Sequence, residues 1–167
     1  CRMDDPVLFM EHKGLYRQGY AATDEPDSDY IIPFGKGRLV SNGNYLTLVT
    51  WGAMVQKSVE AVQELLLEEN IVEIIDLRTL NPIDFDILEV SINKTGKVLI
   101  VHEDNLTNGP GAEISAMISE KFFEYLDGPI KRVAAKDSPI PFNWVIEEKI
   151  LPQTKDISNA IEELLEY

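Results

Sequence analysis

The sequence is poor in the residues that build disulfide frameworks and metal sites. It has one cysteine, Cys1, and two histidines, His12 and His102, which lie ninety positions apart. One cysteine excludes an intramolecular disulfide and fits a reducing compartment, and neither histidine has the neighbouring ligands of a zinc site. No apolar run is long enough to span a membrane, and no basic leader precedes an apolar run. Because the chain begins without Met, we expect a processed chain or a segment of a longer one.

Positive charge is also scarce. Fifteen Lys and Arg residues stand against 29 Asp and Glu residues, which gives a net charge of −14. Nucleic acids and anionic membranes are bound by surfaces rich in Lys and Arg, so this balance argues against both kinds of partner. Two interpretations stay open at this point. The charge serves solubility alone, or it attracts a basic protein partner, since complementary fields speed encounter.

The hydrophobic pattern alternates between strands and helices along most of the chain. The predicted strands are 45–50, 71–76, 97–101 and 130–135, and the predicted helices are 53–69, 85–92, 111–126 and 154 to the C-terminus. Residues 137–152 hold three prolines and predict an irregular segment, and Thr154 is the predicted N-cap of the last helix. Strands that alternate with helices indicate βαβ units. We therefore predict an α/β fold, with a mostly parallel open sheet and helices on both faces.

A cluster of turn formers and acids indicates a boundary near the start of the chain. The stretch from Gly19 to Gly37 contains two prolines and four acidic residues, a composition typical of a linker or surface arm. The apolar run Val7–Met10 before it predicts a short strand. We therefore predict that residues 1–37 are the tail of a preceding domain with a linker arm, and that residues 38–167 form the main domain.

The run from His102 to Ile114 directly follows a predicted buried strand. The carboxyl ends of parallel strands are where open α/β sheets hold ligands and partners, so His102 and Glu103 are candidates for an interface or cleft loop. Adjacent residues on a strand point in opposite directions, so at most one of the two faces a given cleft. For this reason we favour a structural role for His102, as a hydrogen-bond partner of neighbouring backbone or as a support for the loop beneath it, over acid–base catalysis with Glu103.

Other motifs are better explained by structure than by chemistry. Gly109-Pro110-Gly111 is interpreted as a tight turn that lets a helix approach the sheet, since Pro110 has no N–H and Glu113 would repel a phosphate. No dinucleotide fingerprint is present. Asp84 and Asp86 stand at a helix start, where capping explains them better than a metal site.

Three segments resemble the β subunit of thiamin-diphosphate-dependent 2-oxo acid dehydrogenases. Residues 6–17 resemble the end of that subunit's pyrimidine-binding domain. Residues 72–84 and 102–114 resemble its C-terminal domain, which has the transketolase C-terminal fold, a three-layer sandwich. The resemblance continues through 137–141 and 151–153 and covers nearly the whole chain. It implies that residues 1–37 include the tail of the pyrimidine-binding domain and that residues 38–167 are the transketolase C-terminal-like domain.

The resemblance implies an enzyme that decarboxylates a 2-oxo acid on thiamin diphosphate and transfers the acyl group to lipoamide. The branched-chain (2-oxoisovalerate) type is expected, either as a separate β subunit or fused to the α subunit, and the pyruvate enzyme is the alternative. The chain has no G-D-G…N sequence for Mg²⁺ and diphosphate. We therefore expect no catalytic, cofactor-binding or metal residues in this chain, with thiamin diphosphate and Mg²⁺ held elsewhere in the complete enzyme. A stand-alone acidic interaction module is the alternative from another class.

The same resemblance implies an assembly role. The expected partners are the remaining domains of an α/β heterotetramer or fused dimer, and the basic subunit-binding domain of the acyltransferase component. The position that matches the family's docking acid is Asp127, with Glu124 and the terminal carboxylate of Tyr167 expected beside it. A turn residue that ends a helix is the structural alternative for Asp127. The expected location is the bacterial cytoplasm, or the mitochondrial matrix in a eukaryote.

Overall fold

The computed structural model describes residues 4–66 and 70–167 and divides the chain into two compact units. The first unit ends at Ile31, and the second runs from Ile32 to Tyr167. Cys1 and the last three positions of the helix predicted over 53–69 lie outside the described residues.

The first unit contains two short 3-10 helices, Lys13–Leu15 and Gly19–Ala21. The strand predicted over Val7–Met10 is wrong, because residues 6–12 have no regular secondary structure and Leu8 is 91% exposed. A strand needs a partner for its backbone N–H and C=O groups, and none of the described strands pairs with this segment. An apolar run alone therefore did not determine the conformation here.

The second unit is built on a five-stranded sheet. Its strands are β1 (Arg38–Ser41), β2 (Leu46–Thr50), β3 (Val72–Asp76), β4 (Val98–Asn105) and β5 (Lys131–Ala135). Their order is β1-β3-β2-β4-β5. The pairs β3-β2, β2-β4 and β4-β5 are parallel, whereas β1 is antiparallel to β3. The prediction of a mostly parallel α/β sheet is confirmed, although the antiparallel edge strand β1 was not predicted.

The described residues contain five α-helices in addition to the sheet. They are α1 (Met54–Glu64), α2 (Phe85–Thr95), α3 (Pro110–Phe122), α4 (Trp144–Ile150) and α5 (Thr154–Leu165). Helix α3 ends four residues before its predicted end, and a 3-10 helix, Phe123–Tyr125, follows it. Helix α2 ends at a left-handed Gly96 with φ of 67°, a conformation that glycine adopts without steric cost.

The segment before the last helix corrects two predictions. Residues 137–152 were predicted to be irregular, but α4 forms there, and the side chain of Asn143 accepts a hydrogen bond from the backbone N–H of Val145 at its start. The N-cap of α5 is Gln153 and not Thr154, because Gln153 and Asp156 form a reciprocal capping box. The three prolines lie outside α4, so they limit that helix without preventing it.

Two apolar clusters cover the two faces of the sheet. One packs α1 and α5 against the sheet, with buried residues such as Met54 and Ile161. The other packs α2 and α3 against the opposite face, with Ile92 and Ile118. Burial of apolar surface on both faces explains why the strand β2 is buried at every position, as expected for a parallel sheet between helix layers. The three-layer arrangement predicted from the sequence is therefore present.

Candidate functional site

The strand order creates a switch point between β2 and β4. From β2 the chain crosses to β3 on one side and then to β4 on the other side, and ligand crevices of open α/β sheets lie at such points. Strand β4 extends to Asn105, beyond its predicted end at Val101, so His102 and Glu103 belong to the strand itself. His102 is fully buried and Glu103 is exposed, which confirms that the two side chains face opposite ways.

Side chains fill the sheet end beside this switch point. The imidazole of His102 stacks on the indole of Trp51, which follows β2, with ring centroids 5.3 Å apart and planes inclined by 6°. A Cβ built on Gly111 would overlap Nε2 and Cδ2 of His102, and one built on Gly109 would lie 2.9 Å from its Cε1. The Gly-Pro-Gly turn is thus needed for close approach of α3 to the sheet, as the sequence indicated.

The environment of His102 disfavours proton transfer. Neither ring nitrogen has a hydrogen-bond partner among the described residues, and both are inaccessible to solvent. Burial lowers the pKa of His102, the carboxylate of Asp104 opposes this shift, and the Arg132 guanidinium adds to it. The folded protein therefore favours the neutral imidazole. With no exposed nitrogen, this ring packs the sheet end and cannot exchange a proton with a ligand in this conformation.

The predicted docking residues lie at the opposite, amino-terminal edge of the parallel strands. Glu124 is in the 3-10 helix after α3, and Asp127 precedes β5. A Cβ on Gly128 would lie 3.2 Å from the ring of Tyr167, so the C-terminal residue packs beside this turn. Asp127 and Glu124 are accessible, and Tyr167 is 73% exposed. The structure therefore brings these three residues to one accessible edge.

Asp127 combines a structural backbone contact with a carboxylate that no described cation neutralises. Its backbone N–H donates to the carbonyl oxygen of Gly96 at 2.7 Å, which ties the turn before β5 to the C-terminal end of α2. Its side chain lies against Gly96, because a Cβ on that glycine would overlap the carboxylate. Within residues 4–66 and 70–167, no cation lies within ion-pairing distance of Asp127. A carboxylate at a helix C-terminus faces the negative end of the helix dipole, which is unfavourable.

Asp84 has the capping role that the sequence indicated. Its carboxylate accepts hydrogen bonds from the backbone N–H of Ile87 at 3.4 Å and of Gly37 at 3.0 Å, and it is buried. Lys36 pairs with Asp84 and with Asp86 on the outer side. Sequence reasoning found the cap but not these distant partners before β1, since no local pattern links them. This contact fastens the chain before β1 to the start of α2.

The described ranges contain neither a metal-binding group of side chains nor a helix that could span a membrane. In residues 4–66 and 70–167, no group of three or more His, Cys, Asp or Glu side chains is arranged to hold a metal ion. In the same ranges, no helix has both the length and the apolar character needed to cross a membrane.

The fold and its packing define an open, mostly parallel α/β domain with helices on both faces. Residues 35–157 match the family described as transketolase, C-terminal domain, and the chain belongs to this family. The part of the resemblance that concerned the domain fold is thereby confirmed.

Named relatives cover nearly the whole chain. It is 41% identical over 164 residues to the pyruvate dehydrogenase E1 component subunit beta of Staphylococcus epidermidis, covering 98% of this chain and 50% of that protein. It is 40% identical over 166 residues to the protein of the same name from Staphylococcus aureus, covering 99% of this chain and 50% of the relative. The chain thus spans about half the length of the curated relatives it matches. These names refer to pyruvate, so they do not support the branched-chain type.

Solved structures agree with the fold. A chain of "Split gene transketolase, inactive beta4 tetramer" superposes with a TM-score of 0.69 and 26% identity, over 84% of this chain and 44% of that one. A 2-oxoglutarate:ferredoxin oxidoreductase from Magnetococcus marinus gives a TM-score of 0.52 at 15% identity, over 78% of this chain and 19% of that one, and so supports the fold alone.

Proposed function

We propose that this chain is the C-terminal domain of the β subunit of a pyruvate dehydrogenase-type 2-oxo acid dehydrogenase. The observation that carries the proposal is the identity of 40–41% to pyruvate dehydrogenase E1 β subunits over nearly the whole chain. The domain acts in assembly, and the chemistry belongs to the complete enzyme. In that enzyme, thiamin diphosphate supplies the decarboxylation chemistry, and the protein supplies binding and orientation.

Pyruvate replaces the branched-chain 2-oxo acid as the proposed substrate, because the relatives named above carry that substrate in their names. Steady-state kinetics of the complete enzyme with pyruvate and with 2-oxoisovalerate, measured with an artificial electron acceptor, test this choice. We expect a higher kcat/KM for pyruvate. A higher kcat/KM for 2-oxoisovalerate would restore the branched-chain assignment without affecting the family membership.

The proposal places the cofactor outside this chain, since the described carboxylates and histidines form no metal-binding group. Titration calorimetry of the 167-residue chain with thiamin diphosphate and Mg²⁺ tests this placement. We expect no saturable heat. Micromolar binding would show that residues of this chain hold the cofactor, and the proposed division of labour would then fail.

The assembly role is proposed for the edge formed by Asp127, Glu124 and Tyr167, which carries the acidic side chains of Asp127 and Glu124. The three residues share one accessible edge. No described cation neutralises the carboxylate of Asp127, which lies next to the C-terminus of α2, at the negative end of the helix dipole. A carboxylate at the negative end of a helix dipole becomes less unfavourable once a partner's cation faces it, so a contact formed in the complex would account for this position. A basic partner, here the subunit-binding domain of the acyltransferase, would neutralise this charge.

Asp127→Asn in the complete enzyme tests the docking proposal. Asparagine keeps the size and the backbone contact with Gly96 but removes the charge. If Asp127 meets a buried cation of the partner, the loss costs on the order of 2–5 kcal/mol of binding free energy. Surface plasmon resonance with the immobilised subunit-binding domain measures this change. Decarboxylation with an artificial acceptor should be unchanged.

Glu113→Gln provides a matched control, because Glu113 is an exposed acid in the first turn of α3, at the opposite end of that helix from Glu124. We expect it to change the affinity by less than about 0.5 kcal/mol, as an uninvolved surface charge does. If Asp127→Asn binds as tightly as the wild type at physiological salt, Asp127 is a turn residue only. The docking surface would then lie elsewhere.

A further inference from the structure

A cleft of about 580 Å³ lies beside the edge strand β5, between the end of α4 and the start of α5. Its lining contains four cationic residues: Arg132, Lys136, Lys149 and Lys155. We name it the cationic cleft. Two carboxylates, Glu148 and Asp156, also line it. Four of the fifteen Lys and Arg residues of a chain with a net charge of −14 thus line one concavity.

The lysines of the cationic cleft lack ion-pair partners in the part of the chain that the structure describes. Among those residues, Lys136, Lys149 and Lys155 have no carboxylate within 4.0 Å. Asp156 is engaged locally, because its carboxylate accepts a hydrogen bond from the backbone N–H of Gln153 at 2.9 Å. The four cations outnumber the two carboxylates of the lining, so the cleft has a net positive charge, and a concave surface concentrates the potential of such a charge. A bound anion would be attracted by this potential.

Apart from Gln153, the remaining lining of the cleft is apolar. Val133 on β5 and Ile150 and Leu151 at the end of α4 are partly buried and face the same cavity. The backbone N–H of Lys136 donates to the carbonyl oxygen of Ile150 at 3.1 Å, which holds the end of α4 against the end of β5. The wall is therefore fixed by the fold. An apolar floor beside cationic groups suits a ligand that has an apolar body and an anionic part.

We propose that the cationic cleft binds a small organic polyphosphate, with its apolar or aromatic body on the floor and its phosphates on the lysines and Arg132. The volume lies within the range of roughly 300–1,000 Å³ that small-molecule sites occupy. A protein partner of ordinary affinity buries about 800 Å² on each side, which calls for a broader surface than one cleft. Lys and Arg are the side chains that recognise phosphate. Nη1 of Arg132 already donates to the backbone carbonyl oxygen of Leu106 at 2.6 Å, so the phosphate would be met by the remaining N–H groups of this guanidinium and by the lysines. This inference does not rest on the proposed function.

Titration calorimetry of the 167-residue chain with ATP at low salt tests the proposal, because ATP combines an aromatic body with a triphosphate. Adenosine and tripolyphosphate test the two parts separately. The variant Lys136→Gln/Lys149→Gln removes two charges from the cleft. The control Lys13→Gln/Lys121→Gln removes two charges from residues that do not line it. Urea denaturation of both variants shows whether each remains folded, and Lys149→Gln alone serves if the double variant does not.

We expect saturable ATP binding that weakens about tenfold or more in the cleft variant, since charge-assisted hydrogen bonds are lost. The control should change the Kd by less than about twofold, as an unrelated surface charge does. Tripolyphosphate should bind more weakly than ATP, and adenosine should give no saturable heat. Equal weakening in both variants, or no saturable binding of ATP, would overturn the proposal. If an octaglutamate peptide binds and ATP does not, the cleft is a site for acidic peptides and the polyphosphate proposal fails. If tripolyphosphate binds as tightly as ATP, the apolar floor does not contribute to binding.

Discussion

Replacing Gly111 by alanine tests whether the sheet end around His102 is packed as tightly as the structure indicates. In an exposed helix interior, glycine to alanine stabilises a protein by about 1 kcal/mol. Here the added methyl group would overlap the imidazole of His102 and lie 3.3 Å from Cγ2 of Ile100. The imidazole is held by its stack on Trp51, so it cannot move aside freely. Overpacking of this kind costs about 1–3 kcal/mol, so we expect net destabilisation.

A double-mutant cycle assigns the cost to this contact. In a His102→Ala background the imidazole is gone, and the methyl group added at position 111 occupies part of the space it leaves. Gly111→Ala should then be neutral or stabilising, with a coupling energy of about 1–3 kcal/mol between the two positions. Urea denaturation gives the four free energies of unfolding, and constant m-values confirm that the same transition is compared.

Gly19→Ala is the control, because a Cβ on Gly19 would have no atom within 4 Å. We expect its effect to stay within about 0.5 kcal/mol. If Gly111→Ala is neutral or stabilising in the wild-type background, α3 does not lie as close to His102 as the structure indicates. An equal penalty in both backgrounds would show that the cost arises from some other contact.

Three further predictions concern stability. Burial lowers the pKa of His102 in the folded protein. As the pH falls below about 6.5, the unfolded chain therefore binds a proton at this histidine before the folded chain does. The free energy of unfolding should then fall as the pH drops from about 6.5 towards the folded pKa. His102→Phe should remove this contribution to the pH dependence of the urea midpoint, measured between about pH 8 and pH 5. If the variant keeps the pH dependence of the wild type, His102 is not its source. Asp84→Ala should lower the free energy of unfolding by on the order of 2 kcal/mol in urea denaturation, because it removes the α2 cap and leaves the N–H of Gly37 without its acceptor. The control Asp86→Ala, at an exposed position, should cost less than about 0.5 kcal/mol. A loss that small for Asp84→Ala would refute its capping role. Asp127→Asn should raise the thermal midpoint of the 167-residue chain slightly, since a carboxylate at a helix C-terminus costs about 0.3–1 kcal/mol, and a lower midpoint would indicate a stabilising role.

The hydrophobic pattern was sufficient for the fold class because buried parallel strands are short apolar, β-branched runs, whereas amphipathic helices have a repeat of about 3.6 residues. Strand β2 is such a run and helix α2 has the helical repeat, and both lie where the sequence predicts them. The run Val7–Met10 shows the limit of this reasoning, because a strand also depends on a neighbour that the local sequence does not specify. Helix α4 was missed for the opposite reason. The prolines that indicated an irregular segment lie outside α4, and Asn143 caps its start.

For the candidate site, local sequence determined the residue types and the alternation of His102 and Glu103, since successive side chains on a strand point to opposite faces. It also indicated the capping role of Asp84 and the tight turn at Gly109–Gly111. Only the tertiary structure showed that the buried His102 stacks on Trp51 and that Tyr167 lies beside the turn after Asp127. It also showed that the lysines of the cationic cleft line one cavity. These contacts join positions far apart in the chain. Their geometry follows from strand order and helix packing, which no local pattern of residues encodes.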